Sequence, residues 1–169
     1  EKPRTRMLIA ASAGNHGRAV AHVARRRGLG CRIFLPARSP ASHRDAIAGE
    51  DAEVIVVDGA YERAVACANA EAQRHGGALI ADVGNSDAAR WVIDGYATLF
   101  AEAQAQAAYD LILVPAGVGS LAAAAACHAA ATGTGVIGVE PAAAACLTAS
   151  LAAGRPTPVA TPGTTMTGL

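Results

Sequence analysis

Six short runs of β-branched and aliphatic residues alternate along this chain with longer stretches of helical composition. No other feature restricts its fold as tightly. Met7 to Ala11, Cys31 to Leu35, Glu53 to Val57, Ala78 to Ala81, Leu111 to Val114 and Val136 to Val139 read as strands. Helices are expected near His16 to Arg27, Ala41 to Gly49, Tyr61 to His75, Arg90 to Gln106, Leu121 to Ala131 and Ala142 to Ala152. The strand runs are continuous rather than alternating, as in parallel strands covered on both faces. Repeated strand–helix units of this kind give an α/β fold with right-handed crossovers, a parallel sheet between two helical layers.

Composition narrows what such a fold can do. The 169 residues suffice for one core or parts of two, and 52% hydrophobic against 17% charged residues favour a packed domain over disorder. The formal net charge is zero, and the basic residues are spread along the chain, so no concentrated basic face is offered to nucleic acid. Leu111 to Val139 contains no Asp, Glu, Lys or Arg and is long enough to invite a membrane reading. Pro115, Gly117, Gly119 and the Thr132-Gly133-Thr134-Gly135 run interrupt it, so it reads instead as a buried β-α-β unit. Cys31, Cys67, Cys127 and Cys146 stand far apart with no metal-ligand spacing; they read as small core residues of a reduced, cytosolic protein. The chain begins at Glu1 rather than methionine, and its Pro-, Thr- and Gly-rich end, Arg155 to Gly168, precedes no strand. Both ends read as cut edges of something longer.

In open parallel sheets, ligands gather where strand ends meet helix N-termini. Two such junctions stand out. Ala11-Ser12-Ala13-Gly14-Asn15-His16-Gly17 follows the first strand; Ser12 and Asn15 can cap the helix, and the glycines let backbone N–H groups approach a ligand. Pro115-Ala116-Gly117-Val118-Gly119-Ser120 follows the fifth strand, and its glycines expose successive N–H groups suited to a phosphate. A dinucleotide fingerprint needs a third glycine where Ala122 stands; Glu140, about 20 positions on, occupies the place of its acidic residue only loosely.

Taken in order, these segments resemble the fold-type II pyridoxal-phosphate (PLP) enzymes, the tryptophan synthase β superfamily. Ser12 to Gly17 resembles its S-x-G-N-H-G loop, Pro115 to Leu121 its phosphate loop, and Gly138-Val139-Glu140-Pro141 the strand end that follows. Within that group the likeness is greatest to diaminopropionate ammonia-lyases, through Trp91 to Leu99 and Thr164 to Leu169. The resemblance implies PLP as cofactor, held by Asn15 at its phenolic oxygen and by Gly117, Val118, Gly119 and Ser120 at its phosphate. It implies that Ser12, Gly14 and His16 receive the substrate carboxylate through hydroxyl and backbone N–H groups, and that Asp82 matches an acidic residue of the ammonia-lyases. Residues 1–84 would form the small mobile domain and residues 85–169 part of the large one, within a homodimer.

The pattern also departs from the family. Its chemistry needs a lysine well before the S-x-G-N-H loop, and Lys2, the single lysine, leaves no room for the intervening helix. Lys2 is therefore read as a solvated terminal residue, and the chain alone as inactive. Ala13 stands where the ammonia-lyases carry aspartate, and in this it is more like serine and threonine dehydratases. The expected activity is elimination of ammonia from a small diamino acid such as 2,3-diaminopropionate, to a keto acid and ammonia. The alternatives are a serine or threonine dehydratase, a non-catalytic module binding PLP or an amino acid, and an unrelated nucleotide-binding domain. The remaining marked residues read as structural: His22, His43 and His75 on helix surfaces, His128 at a helix end, Trp91 and Tyr96 in the core, and Arg25-Arg26-Arg27 at a helix C-terminus.

Overall fold

A computed structural model describes residues 6–12, 14–82, 84, 86–160, 164 and 166. Lys2, Ala13 and most of the Thr164 to Leu169 segment lie outside the described residues, as do Val83 and Asn85 of the loop after Asp82. The chain divides into two compact units, Glu1–Ala81 and Asp82–Leu169.

In the first unit, β1 (Met7–Ala11), α1 (Asn15–Arg26), β2 (Gly30–Pro36), α2 (Ala41–Ala48), β3 (Glu53–Val57), α3 (Tyr61–His75) and β4 (Ala78–Leu79) follow one another. Their strands form one parallel sheet in the order β3-β2-β1-β4. Strand periodicity explains why these runs are apolar throughout: successive side chains enter different layers. Ala10, Cys31, Ile33 and Leu35 pack with Val20, Ala21 and Ala24 of α1 and Ile47 of α2. Ile9, Phe34 and Val57 face the other way, onto Ala64 and Ala68 of α3. Small alanines on the helices let them lie close to the sheet.

The second unit contains α4 (Asp87–Gln106), β5 (Leu111–Pro115), α5 (Ser120–Thr132), β6 (Gly135–Val139), a 3₁₀ turn (Ala142–Ala144) and α6 (Cys146–Ala153). β5 and β6 pair in parallel, with Leu113 opposite Ile137. Phe100, Val114, Ala124 and Ala125 form the core, flanked by Ile93, Tyr96, Ile112, Leu121 and Val136. The charge-poor stretch is thus a β-α-β unit, and among the described residues no helix is long and apolar enough to cross a membrane.

The differences from expectation have local causes. β4 ends at Leu79 rather than Ala81, although the Ile80 N–H still donates to the Ile9 carbonyl at 2.8 Å. α4 starts three residues early because the Ser86 hydroxyl accepts the Ala89 N–H at 3.1 Å. The expected helix Ala142 to Ala152 is broken at Ala145, where the backbone leaves helical geometry. Trp91 is 67% exposed rather than core, while Tyr96 does pack against the second core. His128 is not at the end of its helix: it lies a turn inside α5, stacked on Phe100 at 5.7 Å and 3.2 Å from the Tyr109 hydroxyl. Of the four free cysteines only Cys31 is fully buried, and Cys127 is exposed.

Candidate functional site

The loop between β1 and α1 is fixed before the helix begins. Ser12 is buried; its N–H donates to the Phe34 carbonyl at 3.1 Å, and its hydroxyl oxygen accepts the Gly14 N–H at 3.3 Å. Neither Ser12 nor Asn15 caps α1: Gly14 holds the N-cap position without a side-chain bond, and Asn15 is the exposed first helical residue. A Cβ on Gly17 would stand 2.6 Å from the Ser12 carbonyl oxygen, so only glycine lets α1 approach the loop this closely. At Gly14 a Cβ would meet open space. Among the described residues, the N–H groups of Asn15 and His16 find no intramolecular acceptor, as first-turn donors require a ligand or water to satisfy them. The His16 imidazole is engaged elsewhere, 2.9 Å from the Ile80 carbonyl oxygen.

The loop between β5 and α5 is built similarly. The Ala116 N–H continues the strand pairing onto the Val139 carbonyl at 2.8 Å. Gly119 takes the N-cap position with φ +99°, a left-handed conformation open to glycine, and open space lies beyond it. Ser120, buried, starts the helix; Val118 is half exposed. Among the described residues, no acceptor takes the N–H groups of Gly117, Val118, Gly119 or Ser120.

Of two residues to which the sequence reading gave other roles, one supports this turn and the other fixes the helix that follows β6. The Cys146 thiol donates to the Gly117 carbonyl at 3.0 Å. Glu140 accepts the Leu147 and Thr148 N–H groups, both at 2.8 Å, and the Thr148 hydroxyl at 2.5 Å, so it caps α6 from outside. The Thr148 hydroxyl first, then the two backbone donors, holds its carboxyl below the usual range against the opposing effect of burial. Its oxygens are engaged by its own chain rather than offered to a ribose. Tyr61 is a further support: its hydroxyl donates to the Ala11 carbonyl at 3.1 Å, at the end of β1. A contact such as Cys146 to Gly117 leaves no mark in the sequence; the Glu-Pro pair at a strand end is the one visible signal near it.

Asp82 is half-buried in a bend three residues past β4, not at a strand end. Burial, and secondarily the Asp82 charge, raise the Tyr96 phenol above its ordinary value. Asn15 borders a surface groove of about 350 Å³ with Arg18, Ala19, His22 and Glu50.

Both loops follow a parallel strand, present unspent N–H groups at a helix start and carry no competing carboxylate; they define an α/β protein equipped to hold anions. A phosphate-bearing cofactor fits the open, left-handed turn at Gly119. The chain belongs to the family of pyridoxal-phosphate dependent enzymes, whose match spans residues 1–169. It is 36% identical over 166 residues to the biosynthetic L-threonine dehydratase of Corynebacterium glutamicum, covering 92% of this chain and 37% of that one. It is 37% identical over 117 residues to the diaminopropionate ammonia-lyase of Escherichia coli, covering 64% of this chain and 29% of the relative. The solved structure of the Escherichia coli diaminopropionate ammonia-lyase superposes with a TM-score of 0.84 at 30% identity, covering 90% of this chain and 43% of that one. The fold is that of the fold-type II enzymes, and the chain spans well under half the length of these relatives.

Proposed function

We propose that this chain supplies the cofactor-phosphate and substrate-carboxylate loops of a PLP-dependent lyase that eliminates ammonia from a small diamino acid such as 2,3-diaminopropionate. The observation that carries the reading is the pair of unspent helix N-termini directly after β1 and β5. In this reading residues 1–84 are the small domain and 85–169 part of the large one. Gly117, Val118, Gly119 and Ser120 take the phosphate through backbone N–H groups, with the Cys146 thiol holding the turn at the Gly117 carbonyl. Asn15 holds the cofactor's phenolic oxygen. Ser12, Gly14 and His16 receive the substrate carboxylate through hydroxyl and backbone N–H groups, with the unspent Asn15 N–H beside them; in the free chain the Gly14 N–H donates to the Ser12 hydroxyl. Asp82 is the candidate catalytic carboxylate, matched to an acidic residue of the ammonia-lyases. Bound PLP supplies the electron sink that stabilises charge at the substrate Cα. The chain's own residues bind and orient; a proton-transferring lysine is not among the described residues.

Ala13 and the broad match to L-threonine dehydratase favour a second reading, elimination of water from threonine or serine. The test is keto-acid release by the gene's full product, supplied with PLP and either L-2,3-diaminopropionate, L-threonine or L-serine. Preferential turnover of the diamino acid supports the first reading, and of a hydroxyamino acid the second. No keto acid from any of them, together with no cofactor adduct by intact mass after borohydride reduction, overturns both.

A further inference from the structure

Helix α1 lacks the devices that usually fix a first turn. It has no side-chain cap and no acidic residue in that turn. What it has is His16, whose ring reaches the end of a strand 64 residues away. A carbonyl oxygen only accepts, so the Nε2 facing Ile80 carries the hydrogen. The Ile80 backbone is held at both its polar groups, its N–H by the Ile9 carbonyl at 2.8 Å and its carbonyl by His16 at 2.9 Å. β4 itself is an edge strand of two residues, so this tie also holds the sheet end to which α1 is moored. The ring is partly buried and committed to the protein, while the same residue's backbone N–H is unspent.

We infer that His16 is a positioning residue: its Nε2–H tie to Ile80 holds the first turn of α1 so that the Asn15 and His16 N–H groups meet the substrate carboxylate. This rests on the functional reading above, in which that loop binds the carboxylate. The role requires an N–H at the reach of Nε2, which Gln supplies and Ala does not.

Three measurements test it. In the full product, long-range ¹H–¹⁵N spectra of the ring should show the Nε2–H tautomer, and a ring in the Nδ1–H form overturns the tie whatever the activity. Titration of the same chain with L-threonine or L-2,3-diaminopropionate should shift the amides of residues 15 and 16. Loss of one hydrogen bond's worth of order should weaken binding roughly tenfold in His16→Ala and about threefold or less in His16→Gln. In the full product with PLP, the same pattern should fall on KM with kcat nearly unchanged. Full product that releases no keto acid with PLP from either amino acid overturns the functional reading. Wild-type binding that His16→Ala retains, or that His16→Gln loses as fully as His16→Ala, overturns the positioning role alone. A fall in kcat at constant KM also overturns it, and assigns the imidazole to proton transfer instead.

Discussion

At the scale of single residues, the first loop depends on a missing side chain. A Cβ at Gly17 would meet a backbone oxygen, that of Ser12, at 2.6 Å and the Ile33 side chain at 3.2 Å. A backbone atom cannot swing aside, so Gly17→Ala should push α1 away from Ser12 and cost about 1–3 kcal/mol, in the range of core overpacking. Urea unfolding measures the loss, and the amide shifts of residues 14–16 should report displacement even under conditions where the variant stays folded. A cost below about 0.5 kcal/mol would mean that the loop is not held as described. The cysteines differ for an equally local reason. Burial pushes the Cys31 thiol up to about 11, so the reactive thiolate is scarce at neutral pH. Cys127 is exposed on α5. Iodoacetamide on the native chain should therefore label Cys127 first and Cys31 only on unfolding, which peptide mass mapping resolves; early labelling of Cys31 would contradict its burial.

At the scale of elements, helices are fixed to their neighbours by a few polar contacts. The Ser86 hydroxyl caps α4, and Ser86→Ala should cost about 1 kcal/mol in urea unfolding, whereas Ser86→Asp should retain stability. α1 is held along its length by Glu50, in the turn after α2: Arg25 approaches its carboxylate at 2.9 Å, His22 at 3.0 Å and Arg18 at 3.7 Å. The His22 hydrogen bond first, then the arginine charges, holds the Glu50 carboxyl below its ordinary 4.5. A carboxyl depressed on folding contributes stability that is present above its unfolded value and lost as pH falls through the folded one. Glu50→Gln should therefore flatten the acid limb of the stability curve between about pH 5 and pH 3. Urea midpoints measured across that range check it, and an unchanged acid limb would remove the network from the account. Which elements form was legible in the sequence, because an apolar run of five residues between helical stretches has few other uses. β1, β3 and α3 end where the pattern of residues ends. What was not legible joins distant parts: His16 to Ile80, Glu50 to α1 and Cys146 to Gly117 are long-range pairs, and no periodicity along the chain encodes them. The break at Ala145 was hidden for a related reason. An alanine run favours helix everywhere, and only the Glu140 carboxylate decides where α6 starts.

At the scale of the whole molecule, the two units differ in how their sheets are covered. The first has helices on both faces, which is why Ile9 and Ile33, pointing oppositely, are both fully buried. In the second, Ile112, Val114 and Val136 face α4 and α5, while the opposite face of the same pair carries Leu111, Leu113, Ile137 and Val139 at 43–65% exposure. Apolar residues on both sides of a parallel pair are the mark of strands built for burial, and among the described residues of this unit nothing covers this face. Two variants separate the faces. Leu113→Lys with Ile137→Glu, directly opposed in the β5–β6 register, replaces two exposed apolar groups by a cross-strand ion pair. It should abolish dye binding by 8-anilinonaphthalene-1-sulfonate and concentration-dependent association, and change unfolding free energy by less than about 0.5 kcal/mol. Val114→Ala, on the covered face at 2% exposure, should instead cost about 2 kcal/mol and leave dye binding intact. If the double variant unfolds as readily as Val114→Ala, the outer face is packed in solution. The second unit would then owe its stability to contacts on both sides of β5 and β6 rather than to the helical side alone.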